Sequence, residues 1–192
     1  MMLNSNKIII ISGSSGVGKT TLINHLLSCE ELNLKFSISA CSRSKRDYEV
    51  DGKHYFFLPL HEFKKRIQAN DFLEWEEVYE DHFYGTLKSK TLEILNSGKN
   101  ILFDVDVYGA LSIKKFFNHN AASIFIQTPS ILIARERLIS RGSDSVNEID
   151  FRVNKMKHEI SIGKEMDYQL VNDDLDLSKK KIYSLVNTFI CS

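Results

Sequence analysis

Gly13-Ser14-Ser15-Gly16-Val17-Gly18-Lys19-Thr20 carries the clearest chemistry in this sequence. Its glycines allow a tight loop in which successive backbone N–H groups turn inward and make an anion nest. The loop follows a continuous aliphatic run, Ile8 to Ile11, and precedes Leu22, Ile23, Leu26 and Leu27 at helical spacing. Phosphates at such a strand-to-helix turn also meet the positive end of the helix dipole and its free N–H groups. Lys19 can reach β- and γ-phosphates, and the Thr20 hydroxyl can ligate Mg²⁺. Gly13, Ser14, Ser15, Gly16, Val17, Gly18, Lys19 and Thr20 are thus expected to bind ATP or GTP. A second apolar stretch, Ile101 to Val105, ends in acids, and Asp104 and Asp106 fall where open α/β sheets place ligands.

The elements that must hold these groups follow from periodicity and turn signals. Strands are predicted at Lys7–Ile11, Leu34–Ser39, His54–Leu58, Phe72–Val78, Ile101–Val105, Ala122–Gln127 and Tyr168–Val171. Helices are predicted at Lys19–Leu27, Pro59–Ala69, Leu87–Leu95, Gly109–Phe117 and Ser130–Ser140, and from about Leu177 onward. Ser145 and Glu148 fit a capping box that opens a long helix toward Glu165. Ser42–Lys53 and Arg141–Asn147 read as polar breaks. Strands alternating with helices predict an α/β fold, with a right-handed parallel sheet flanked by helices. The aromatic, charged stretch from Ser37 to Lys88 breaks that rhythm and reads as an insertion that covers something.

Composition narrows the function classes. The 192 residues suit one domain, and 25 Lys and Arg balance 25 Asp and Glu, which argues against coating nucleic acid or an acidic membrane. The longest aliphatic run is too short to span a bilayer, and the first residues lack the basic-then-apolar layout of a signal peptide. Cys29, Cys41 and Cys191 include no Cys-x-x-Cys pair, and the histidines form no cluster suited to a metal. A cytoplasmic protein is expected.

Six further motifs extend the picture. They are Ser39-Ala40-Cys41-Ser42-Arg43-Ser44-Lys45-Arg46, with Glu49, Gly52 and Tyr55 after it; Phe72-Leu73-Glu74-Trp75; Phe83-Tyr84-Gly85-Thr86; Asp104-Val105-Asp106-Val107-Tyr108-Gly109-Ala110; Glu136-Arg137-Leu138-Ile139-Ser140-Arg141-Gly142; and Val171-Asn172-Asp173-Asp174. With the phosphate loop they resemble the guanylate kinases, in register from about Ile8 to Leu175. The resemblance implies one three-part domain over about 6–188: a P-loop core at 1–36, 89–134 and 162–192, a GMP-binding insertion at 37–88, and a helical lid at 135–161. It implies Mg²⁺-dependent transfer of the ATP γ-phosphoryl group to GMP, giving ADP and GDP in purine metabolism and GMP recycling. Such an enzyme is expected to be a monomer or homodimer without nucleic-acid or membrane partners, and dGMP remains open as a second acceptor.

The residue types suit those roles. Arg43 and Arg46 can form a fork on the acceptor phosphate, with hydroxyl donors from Tyr55 and Tyr84, as the resemblance implies. Glu74 can accept from guanine N1–H and the 2-amino group together, a match adenine cannot make. By resemblance Ser39 and Thr86 complete the base contacts, and Asp106 lies near the acceptor. Asp104 is expected to share the metal with Thr20, although the sequence does not divide the roles of Asp104 and Asp106. Arg137, Arg141 and Arg152 match lid arginines that stabilise charge in transfer beside Lys19 and Arg43. Asn172 resembles the contact to the donor adenine.

The sequence departs from the family pattern at a few places. Ser14 stands for a usual proline and Cys41-Ser42 for two threonines, while Tyr108 replaces a glutamine and Phe151 a polar lid residue. The segment between Glu74 and Tyr84 is one residue longer than usual, through Glu80-Asp81-His82. Rival readings are a P-loop kinase for another phosphorylated acceptor, a catalytically dead phosphopeptide scaffold and a GTPase switch. Glu74 with Ser39 and Thr86 argues against the first, the intact Lys19 and Thr20 against the second, and the lack of an Asn-Lys-x-Asp segment against the third.

Overall fold

The computed structural model describes residues 6–142 and 145–192. Its main sheet has the strands β1 (Ile8–Gly13), β2 (Leu34–Phe36), β7 (Asn100–Asp104), β8 (Ala121–Gln127) and β9 (Tyr168–Val171) in the order β2-β7-β1-β8-β9, with every neighbouring pair parallel. The four consecutive isoleucines of β1 explain why this strand is central. Ile9 and Ile11 pack among Leu22, Leu26, Ile182 and Val186 of α1 (Lys19–Ser28) and α7 (Leu175–Ile190). Ile8 and Ile10 face the other side, among Val107, Ala110 and Ile113 of α4 (Val107–Phe117) and Leu95 of α3 (Lys88–Asn96). A period-2 strand buried on both faces must be apolar throughout, as this one is.

The insertion is a second sheet. Its strands are β3 (Ala40–Cys41), β4 (Phe56–Phe57), β5 (Phe72–Tyr79) and β6 (His82–Leu87), ordered β4-β3-β6-β5 and backed by α2 (Leu60–Gln68). Ala40, Phe63, Phe72, Phe83 and Leu87 form an apolar cluster of their own beneath it. Helices α5 (Ile131–Arg141) and α6 (Val146–Gly163), over the segment expected to be the lid, pack on each other with Ala134, Leu138, Ile149 and Met156 buried between them. The capping box expected at Ser145 and Glu148 opens α6.

Two strands of the insertion escape the periodicity. β3 is only a pair of residues, and β6 was read as a motif without an assigned element; both gain their strand geometry by pairing with partners distant in sequence. The strand expected at Leu34–Ser39 stops at Phe36, and that at His54–Leu58 contracts to Phe56–Phe57. The helix expected to start at Gly109 starts at Val107, because Asp106 caps it by accepting from Gly109 N at 2.7 Å. The last helix likewise starts at Leu175 rather than Leu177, where Asp174 caps it. Among the described residues, no helix is long and apolar enough to cross a membrane.

Candidate active site

The phosphate loop joins β1 to α1 as expected. Gly16 (φ 80°) and Gly18 (φ 91°) are left-handed, and a Cβ on Gly18 would lie 2.4 Å from Asn172 Nδ2, so only glycine fits there. The Lys19 ammonium folds back over the loop, donating to the carbonyls of Gly13 at 2.6 Å and Ser14 at 3.2 Å. Asp104 stands opposite Ile11 in the parallel register, which sets its carboxyl beside the loop. Burial raises the Asp104 pKa, and the Lys19 charge opposes that rise. Thr20 is exposed in the first turn of α1. Asn172 is buried, with its side-chain amide donating to Val17 O at 2.8 Å. Arg137 Nη1 donates to the Asn172 carbonyl at 3.1 Å.

The residues expected to bind the acceptor come mainly from the insertion sheet and from the C-terminal end of β7. Antiparallel pairing sets Glu74 opposite Thr86, and the Thr86 hydroxyl donates to Glu74 Oε1 at 2.5 Å. The hairpin has irregularities between Phe72 and Glu74 and between Glu77 and Tyr79, and Asp81 sits in a left-handed turn, with Glu74 still opposite Thr86. Gly109 leaves the space Glu74 needs: a Cβ there would meet Glu74 Oε2 at 3.1 Å and Asp106 Oδ1 at 3.2 Å. A cavity of about 160 Å³ is lined by Ser39, Tyr55, Glu74, Tyr84 and Asp106, with Glu76 and Asp104 also on its wall. Burial pushes the Glu74 pKa up to about 7, with the nearby acids Asp106 and Glu76 adding to the rise and the Thr86 bond opposing it. Asp106 Oδ2 is buried without a geometric hydrogen-bond donor, and the Glu76 carboxyl lies close enough for Asp106 to raise its pKa.

Arg43 is held on three sides. Its Nη1 donates to Glu49 Oε2 at 2.6 Å, its Nη2 pairs with Glu49 Oε1, and its Nε donates to the Tyr84 hydroxyl at 3.1 Å. The guanidinium lies 5.2 Å from the Tyr55 ring centre and 5.5 Å from that of Phe57. Arg43 holds the Glu49 carboxyl well below its usual range, at about 2, and Glu49 in turn raises the Arg43 pKa. The fork expected for a phosphate is here closed on Glu49. Arg46 is more exposed, donating to the Tyr48 hydroxyl at 2.9 Å.

A cleft of about 890 Å³ separates the insertion from the lid, and Ser15, Arg46, Tyr55, Tyr84, Phe151 and Arg152 line it. Arg152 Nη1 crosses to the phosphate loop and donates to Ser15 Oγ at 2.8 Å. The side chain of Arg141 lies outside the described residues. Sequence reasoning assigned no role to Glu49, Glu76, Lys155 or Gly109. Glu49 and Gly109 stood in the quoted motifs without a role, Glu49 three residues beyond Arg46 in a loop of mixed charge. Among the described residues, no three His, Cys, Asp or Glu side chains gather as a metal site.

Comparison with known proteins agrees with this geometry. The guanylate kinase family model matches residues 5–189. The chain is 50% identical over 184 residues to a guanylate kinase of Porphyromonas gingivalis, covering 96% of this chain and 98% of that one. It is 38% identical over 182 residues to a guanylate kinase of Thermotoga maritima, covering 95% and 86%. The crystal structure of a guanylate kinase from Anaplasma phagocytophilum superposes with a TM-score of 0.76 at 26% identity, covering 97% of this chain and 87% of that one.

Proposed function

The chain belongs to the guanylate kinase family and is an ATP:GMP phosphotransferase, and we propose that its three apolar-centred parts divide the reaction among them. The core at 1–36, 89–134 and 162–192 holds ATP, the insertion at 37–88 holds GMP, and the lid at 135–161 brings arginines to the phosphates. The separate clusters under the insertion and within the lid support that partition, since each part has its own packing.

The half-buried Glu74 carries the choice of acceptor. A carboxylate in a small cavity, fixed by Thr86 and given room by Gly109, accepts the two adjacent donors of guanine. The buried Asp106 Oδ2 in the same cavity suits a third donor from the acceptor. Ser39 lines the same wall. Arg43, Arg46, Tyr55 and Tyr84 take the acceptor phosphate, which requires the Arg43 fork to be shared between Glu49 and the phosphate.

Gly13 to Thr20 cradle the donor phosphates, with Lys19 transferring its hydrogen bonds from loop carbonyls to phosphate oxygens. Asn172 supports this loop from below, through Val17. Mg²⁺ would be held by Thr20 and Asp104, whose hydroxyl and carboxylate oxygens are of the kind a hard cation prefers. The half-buried Asp104, at the end of β7 beside the phosphate loop and Lys19, supports this assignment by its position. Bound there, the ion would neutralise charge on the transferring phosphoryl group. The attacking phosphate oxygen of GMP is already ionised, so no strong base is needed and the rate comes from positioning and charge stabilisation. Arg137, Arg141 and Arg152 supply that charge from the lid, which also excludes water. The reading takes the cytoplasm as the site of the reaction and dGMP as a further acceptor.

A coupled ADP-release assay with MgATP tests the assignment by comparing GMP with AMP, CMP and UMP on wild type and Glu74→Gln. GMP alone should turn over, and the substitution should relax that choice. Equal use of AMP by the wild type would overturn the role given to Glu74.

A further inference from the structure

Arg152, Lys155 and His158 succeed one another at three-residue intervals on α6, which puts them on one face of the helix. Each meets a different element. Arg152 reaches Ser15 of the phosphate loop, Lys155 Nζ lies 3.4 Å from Glu76 Oε1 on β5, and His158 Nε2 is hydrogen-bonded to the Tyr108 hydroxyl of α4 at 2.6 Å. The adjoining face, with Ile149, Val153 and Met156, packs against α5. The end of the helix is pinned to the core by Gly163, where a Cβ would lie 2.5 Å from the Phe125 ring. The polar stripe therefore joins α6 to the phosphate loop, β5 and α4.

Glu76 stands on the wall of the acceptor cavity with Glu74, Asp104 and Asp106, so four carboxylates crowd one small space. Lys155 brings a cation to them from the lid. We propose that Lys155, seated on Glu76, is a positioning residue for phosphoryl transfer. It ties the lid helix to the acceptor strand and so holds Arg152, three residues earlier, over the phosphate loop. The contact requires the lid to lie against the insertion, so closing the lid and filling the acceptor cavity favour one another. The proposal rests on the role given above to Arg152. Both partners are 38% exposed, and a pair so placed shifts a rate a few-fold rather than by orders of magnitude.

The test is a set of rates for Lys155→Met, Glu76→Gln, the doubly substituted protein and Lys155→Arg, with kcat and the KM for GMP separated and thermal melting recorded. Each neutral substitution should lower kcat by about fivefold. The double substitution should lower it by the same factor, because either change removes the whole contact. Lys155→Arg should restore most of the rate, and melting temperatures should stay within about 2 °C of wild type. Wild-type kcat in Lys155→Met, or losses that multiply in the double, would overturn the proposal. Lys155→Met placed in an Arg152→Ala background should cause no further loss, and a full fivefold loss there would show that Lys155 does not act through Arg152. Wild-type turnover of GMP in the same series separates failure of the underlying reaction from failure of this inference.

Discussion

The side-chain amide of Asn172 donates to the carbonyl of Val17 at 2.8 Å, joining the end of β9 to a phosphate loop 155 residues away in sequence. The same amide nitrogen fills the space that a Cβ on Gly18 would need. Loop and strand end are thus fitted to each other. Asn172→Asp replaces the donor with a carboxylate facing a carbonyl, and an acceptor left against an acceptor costs about 1–3 kcal/mol. ATP affinity measured by calorimetry should fall about tenfold or more, while GMP affinity changes little. An unchanged ATP affinity would mean that the loop is held without this bond.

With guanine assigned to Glu74 as proposed, this residue trades stability against recognition. Its pKa in the fold is about 7, above the ordinary 4.5, so the folded protein binds more protons than the unfolded chain between those values. Stability attributable to this group therefore falls as pH rises through that window, by ~3 kcal/mol. Glu74→Gln removes the ionisation and should melt above wild type at pH 8, with the difference vanishing near pH 4. The same variant offers guanine one acceptor where two are needed, so kcat/KM for GMP should drop by at least ~10²-fold. Melting curves across pH and initial rates check the two halves separately. A variant less stable than wild type at pH 8 would sink the first.

Glu49 acts in the opposite sense. Its pKa is lowered to about 2 by Arg43, so its stabilising effect is complete above the unfolded value of 4.5 and is lost as pH falls toward 2. Glu49→Gln should lower the melting temperature at pH 7, and the deficit against wild type should shrink steadily below pH 4.5. Arg43 loses its orienting partner in this variant, so the KM for GMP should rise about tenfold, with less change in kcat. A KM unchanged from wild type would mean that Tyr84 and the aromatic faces of Tyr55 and Phe57 suffice to aim Arg43.

What could be read from the chain and what could not follow from where the information lies. The phosphate loop, the core strand at Tyr168–Val171 and the capping box of α6 are each written in one short stretch, and each stands where sequence placed it. The insertion is different. β6 is specified by pairing with β3 and β5, and Gly85 and Thr86 acquire meaning only opposite Trp75 and Glu74. Glu49, Gly109 and Lys155 were missed for a related reason. An acid that orients an arginine, a glycine that makes room for a carboxylate and a lysine that reaches another part all depend on neighbours that no local pattern names.

Thr86 offers the sharpest check on how Glu74 is tuned. Its buried hydroxyl donates to Glu74 Oε1, and that bond favours the carboxylate, opposing the rise caused by burial and by Asp106 and Glu76. Thr86→Val keeps the shape and removes the donor, so the Glu74 pKa should move further up. Guanine recognition needs the ionised form, because only that form accepts at both oxygens. The acid limb of the pH profile of kcat/KM for GMP, at saturating ATP, should therefore shift to higher pH in Thr86→Val. At pH 7 the variant should be several-fold slower, and at pH 9 it should recover most of that loss, since the carboxylate is then formed regardless. Loss of equal size at every pH would assign Thr86 a direct contact with the base in place of a tuning role. The profile should flatten in Glu74→Gln, which has no proton to lose at this position.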